Sequence, residues 1–179
     1  MPPGDVARTR RFEAVALPHL PAAYNLARWI CRNEADAADV VQEAVMRALQ
    51  YFDSYHGGDA RAWLLQIVRN SAHTWIGKNR PTGQVALDPL ETDGATGLAG
   101  PEDPLAAVVA QAEGARVRLA IGRLPLEQRE VLVLREFEAL SYRQIADITG
   151  CPIGTVMSRL SRARDQLGEI VRGEQRAAS

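Results

Sequence analysis

The sequence predicts an all-α protein: two small helical domains joined by a flexible acidic linker. Three observations carry that prediction. Apolar residues recur at helical spacing in both halves of the 179-residue chain. No segment alternates as a half-buried strand would. Between the halves lies a run rich in proline, glycine and acid. Hydrophobic residues make up 46% of the chain, enough to build a core.

The linker sets the boundaries. From Pro81 to Pro104 there are four prolines and four glycines, and between Arg80 and Glu113 there are five acids and no base. Such a run tethers rather than packs. It leaves one lobe at residues 8–80 and another at 113–172, with the linker at 81–112. In the first lobe, Phe12–Arg32 reads as one or two helices disturbed by Pro18 and Pro21. Asp36–Phe52 is amphipathic, with Val40, Val41, Ala44, Val45, Ala48 and Leu49 on one face. A polar, glycine-containing loop at 53–59 breaks it. A third helix, Ala60–Asn79, gathers Trp63, Leu64, Ile67, Val68 and Ala72 on one side, with Trp63 read as a core aromatic. The second lobe predicts four helices: Ala110–Arg123, Leu126–Glu138, Tyr142–Thr149 and Ile153–Arg172.

Composition narrows the function classes. The net charge is -1, so any nucleic-acid role lies in the distribution of charge. Of the 21 basic residues all but Lys78 are arginine. Arginine suits bidentate contacts to phosphate and guanine, although a GC-rich genome produces the same bias. Cys31 and Cys151 form no CxxC, and His19, His56 and His73 are isolated, so no metal, no cofactor and a reduced, cytoplasmic setting are expected. The charged start has no apolar run behind it, and no run of about 18 apolar residues exists, so neither a signal peptide nor membrane insertion is expected. There is no P-loop and no GxSxG nucleophile elbow, so no catalytic residue and no enzymatic activity are expected.

The strongest local pattern runs from Leu140 to Leu160. Ser141 and Gln144 fit a capping box, in which each side chain satisfies a backbone N–H of the other. Ile145, Ala146 and Ile148 supply a buried side. Gly150 can take the positive φ that closes a helix, and Pro152 starts the next one. That next helix buries Val156, Leu160, Ala163 and Leu167. It leaves Thr155, Met157, Ser158, Arg159, Ser161 and Arg162 outside. Together these make a helix-turn-helix whose second helix, about Ile153–Leu167, enters a DNA major groove.

Two further stretches carry a resemblance. DAADVVQEAVMRAL (Asp36–Leu49) followed by RAWLLQIVRNSA (Arg61–Ala72) resembles region 2 of extracytoplasmic-function (ECF) sigma factors, the promoter-recognition subunits of bacterial RNA polymerase. LPLEQREVLVLREFEALSYRQIA (Leu124–Ala146) and GCPIGTVMSRLSRAR (Gly150–Arg164) resemble region 4 of the same family. Each motif is moderately specific; their ordered pair is highly specific. The resemblance implies binding to core RNA polymerase, at the β′ clamp through Asp39, Gln42 and Glu43 and also at the β flap. It implies reading and melting of the −10 element by the loop Phe52–Arg61 and the following helix. There Asn70 matches the family's pocket asparagine, Tyr55 and His56 stack or line the pocket, and Arg61, Arg69 and Arg80 hold phosphates. An unstacked base needs such a pocket to return the few kcal/mol that unstacking costs. The resemblance places the −35 contacts on Thr155, Ser158, Arg159, Ser161 and Arg162. It also implies promoter DNA as a partner and control by an anti-sigma factor.

The sequence departs from the family at Met157, where many members carry Lys or Arg. Methionine binds neither phosphate nor guanine oxygen; it meets a thymine methyl or packs. Two rival classes remain. A conventional repressor binds duplex DNA tightly without polymerase, and a recombinase with a helix-turn-helix tail needs clustered acids or a nucleophilic serine with arginines.

Overall fold

A computed structural model describes residues 3–79 and 114–177; the expected linker and Arg80 lie outside the described residues. Among the described residues every regular element is helical. The first lobe holds α1 (Pro3–Ala16), α2 (Leu20–Cys31), α3 (Glu34–Gln50) and α4 (Ala60–Asn79). The second holds α5 over 114–122, then α6 (Leu126–Glu136), α7 (Tyr142–Thr149) and α8 (Ile153–Ala177).

Local chemistry explains the boundaries. The helical stretch expected from Phe12 begins earlier, at Pro3, and a 3-10 turn at Leu17–His19 carrying Pro18 divides it into α1 and α2. Pro21 sits in the first turn of α2, where its missing N–H would have had no helical partner. Arg32 closes α2 in the left-handed region at φ 59°. Asn33 then caps α3: its side-chain oxygen accepts from the Asp36 N–H at 3.0 Å. Gly57 and Gly58 take φ of 99° and 96° in the loop, a conformation side chains disfavour. Asp59 ends that loop and caps α4, accepting from the Ala62 N–H at 3.0 Å.

The amphipathic reading of α3 holds. Ala37, Val40, Ala44 and Ala48 are buried, and Val41, Val45 and Leu49 flank them half-buried. On α4, Leu64, Leu65, Val68 and Ala72 are buried, while Trp63 is half-buried at the end of an aromatic cluster. Its indole lies 4.9 Å from the Tyr55 ring, and Tyr55 stacks on Phe52 at 6.0 Å. Helices α2, α3 and α4 pack on one another, and α8 packs on α6 and α7.

The lobes also pack together, α2 on α6 and α4 on α7. Trp29 meets Phe137 at 5.5 Å, and the Gln66 amide donates to the Asp147 carbonyl at 3.0 Å. This explains why α4 buries Leu65 and Ser71 besides its predicted face, and why Val131–Leu134 of α6 are all buried. Both helices are sandwiched rather than half-exposed.

Candidate polymerase and promoter interfaces

The outer face of α3 is exposed. Asp39, Gln42, Glu43 and Met46 lie on it, opposite the buried alanines and Val40. Met46 is 66% exposed, and Glu43 pairs with Arg47 at 2.7 Å across one helical turn. The face therefore offers acids around an apolar side chain, which suits a basic partner helix with some apolar surface.

The loop after α3 forms one wall of a hollow of about 550 Å³, lined by Ala7, Arg8, Arg11, Phe52, Asp53, Tyr55 and His56. His56 is exposed, and the Tyr55 hydroxyl donates to the Gly58 carbonyl at 2.9 Å. Arg8 clamps α1 onto the end of α3 through Asp53 at 3.0 Å and the Leu49 carbonyl at 2.7 Å. Arg11 lies 5.5 Å from the centre of the Phe52 ring. Neither arginine was expected here, because the start of α1 carries no clear amphipathic pattern. Asn70 is exposed on α4 and does not line the hollow.

Arg61 and Arg69, expected to hold phosphates, instead face the second lobe. Arg61 pairs with Glu138, whose other oxygen accepts from Asn25 at 2.7 Å. Arg69 lies 3.3 Å from Glu130, which His73 also contacts. Glu130 is fully buried and Glu138 nearly so. Across the same seam, the Gln144 amide donates to Asp59. The Ala62 N–H, joined by that amide, holds the Asp59 carboxyl below its ordinary range.

In the helix-turn-helix, the capping box forms in full: the Ser141 N–H donates to Gln144 at 2.8 Å, and the Gln144 N–H donates to Ser141 at 3.2 Å. Gly150 closes α7 at φ 69°. Val156, Leu160 and Ala163 are buried under α8. Ser158, Ser161 and Arg162 are exposed, and Thr155 is half-exposed. Arg159 differs: it pairs with Glu127 at 2.7 Å, and its side chain is only 21% exposed. That places its guanidinium beside α6 rather than on the outward face.

Residues 16–82 match the family described as sigma-70 region 2, and residues 114–167 match sigma-70, region 4. The RNA polymerase sigma-H factor of Pseudomonas aeruginosa is 32% identical over 167 residues, covering 90% of this chain and 86% of that protein. The ECF RNA polymerase sigma-E factor of Haemophilus influenzae is 34% identical over 147 residues, covering 79% of this chain and 77% of its own length. The chain belongs to the ECF sigma factors. The solved structure of the sigma factor RpoE with the anti-sigma factor NepR, from Bartonella quintana, superposes with a TM-score of 0.69 at 29% identity. It covers 91% of this chain and 98% of that one. CnrH, solved with the cytosolic domain of CnrY, gives a TM-score of 0.63 at 25% identity, covering 92% and 90%. Among the described residues of this sigma factor, no helix is long and apolar enough to cross a membrane.

Sequence reasoning missed the inter-lobe groups: Asn25, His73, Glu130 and Glu138. One signal was present. Glu130 stands beside four consecutive apolar residues, Val131–Leu134, and a helix apolar on more than one face is covered on more than one face. A buried acid there calls for a cation to pair with, and Arg69 of the first lobe supplies it.

Proposed function

We propose that this ECF sigma factor binds core RNA polymerase through the Asp39, Gln42 and Glu43 face of α3. It reads −35 duplex with the outward face of α8 and captures unstacked −10 bases around Tyr55, His56 and Asn70. It works in the cytoplasm, where polymerase works, and has no catalytic chemistry of its own. The observation that carries the reading is the ordered pair of lobes, with a formed helix-turn-helix in the second and an exposed acidic helix face in the first. The family match agrees with it.

The ion pairs at the seam bear on how the protein is switched. Arg61 and Arg69 reach DNA only after leaving Glu138 and Glu130, so promoter engagement requires the lobes to part. A protein that holds them together keeps the sigma factor silent. The structurally similar sigma factor RpoE was solved with the anti-sigma factor NepR, and the structurally similar CnrH with the cytosolic domain of CnrY; an anti-sigma partner fits this arrangement. The test is reconstitution. Purified protein with core polymerase initiates at specific promoters, while the protein alone binds the same promoters weakly. Tight duplex binding without polymerase, and no specific initiation with it, would favour the repressor reading.

A further inference from the structure

We infer that Met157, supported by Ile153, reads a thymine methyl in the −35 element, so that this sigma factor selects thymine through apolar contact where a cation would select guanine. The inference rests on the sigma-factor reading and adds a specificity determinant to it.

Large apolar side chains are usually withdrawn from water on a helix packed as tightly as α8. Val156 and Leu160 follow that rule, at 0% and 1% exposure. Ile153 and Met157 break it at 39% and 52%. They stand one helical turn apart, at the start of the helix that enters the groove. Helix α8 packs on α6 and α7 through Val156, Leu160 and Ala163; Ile153 lies at the edge of that buried stripe and Met157 beside it, and both stay exposed at the N-terminal end of the helix.

The charges nearby narrow what the pair meets. In the first two turns of α8, Arg159 is the sole cation, and it is turned toward Glu127. Arg162, the next, is exposed a turn further along. The leading end of the helix therefore offers apolar carbon and hydroxyls, from Thr155 and Ser158, and no free guanidinium. Guanine presents two acceptors in the major groove and is read by arginine or lysine. Among the four bases, thymine alone presents a methyl group there. A thioether on an unbranched side chain adapts to a methyl at varied depth. The surface is continuous with the helix-turn-helix interface, which favours duplex DNA as its occupant over a protein.

Holoenzyme made with core polymerase is used to select −35 sequences from a randomised promoter library. Each thymine in the selected element is then replaced by deoxyuridine, which pairs identically but lacks the methyl. At one thymine, or two adjacent ones, the wild-type holoenzyme should weaken about fourfold, the worth of one buried methyl. Met157→Ala should bind the thymine promoter about as weakly as wild type binds the uracil one, and should no longer distinguish the two. Met157→Leu should keep the distinction. Core binding by both variants, measured in parallel, should be unchanged, because the residue is exposed. Three results overturn the inference: a selected element without thymine, no position sensitive to the methyl, or a methyl effect that survives Met157→Ala. Loss of binding in Met157→Ala that is equal on thymine and uracil DNA also overturns it and makes the residue a protein contact. Failure of the holoenzyme to select any −35 sequence would instead reject the sigma-factor reading.

Discussion

Arg162 is an exposed cation on the outward face of α8, in contrast to Arg159 and Arg164, which pair with Glu127 and Glu136. Arg162→Ala should lower −35-dependent transcription about tenfold or more, the range of one specific contact, with core binding intact; equal loss of both would contradict the assignment. On α3, reversing Asp39 and Glu43 to arginine should reduce retention of the sigma factor on immobilised core polymerase while leaving its helicity unchanged. Asp59 gives a pH prediction. Its carboxyl is held below the ordinary value, chiefly by the Ala62 N–H. Its contribution is thus full above the unfolded carboxylate value of about 3.9 and is lost as pH falls through the lower folded value. The melting-temperature gap between wild type and Asp59→Ala should be wider at pH 7 than at pH 3. At this scale the sequence was informative where a side chain's fate depends on its own helix. Asp39, Gln42, Glu43, Ser158 and Arg162 fall on exposed faces, as helical periodicity requires. It was uninformative for Arg159, because Glu127 is distant in sequence and no periodicity announces the pair.

Among the elements, α7 and the start of α8 were the most legible, because every signal that shapes them is local: a capping box, a left-handed glycine and a proline that cannot continue a helix. Ser141→Ala removes one half of the box and should cost about 1 kcal/mol of stability, seen as an earlier unfolding midpoint in urea with an unchanged slope. The start of α1 was the least legible. Its residues show little amphipathic contrast, and it is fixed from outside itself by the Arg8 bonds to the end of α3 and by Phe12, packed edge-on against Phe52 at 5.4 Å. A helix anchored by a distant carbonyl and a distant ring leaves no pattern in its own sequence.

At the scale of the whole molecule, two lobes were legible but their union was not. Composition marks where the chain divides, whereas Trp29 on Phe137 and the pairing of Arg61 and Arg69 with Glu138 and Glu130 join residues from opposite sides of that division. Breaking a buried pair by removing one partner is strongly destabilising, by about 3–5 kcal/mol, and here the least costly escape is separation of the lobes. Glu130→Ala should therefore raise the radius of gyration in small-angle scattering while far-UV circular dichroism keeps its helical signal. An unchanged radius would mean that the apolar contacts alone hold the seam.

On the proposed function, the same two carboxylates would act as stand-ins for phosphate. They occupy the guanidinium groups of Arg61 and Arg69 within one chain, at no cost in association entropy. Apparent affinity for DNA then scales with the fraction of molecules standing open. If about one in a hundred is open, binding weakens about a hundredfold, or about 2.7 kcal/mol. Polymerase that seats the lobes on separate surfaces removes that penalty without altering a single residue at the DNA interface. A promoter-reading protein can in this way stay idle among abundant nonspecific DNA and gain its affinity only in the company of the enzyme it directs.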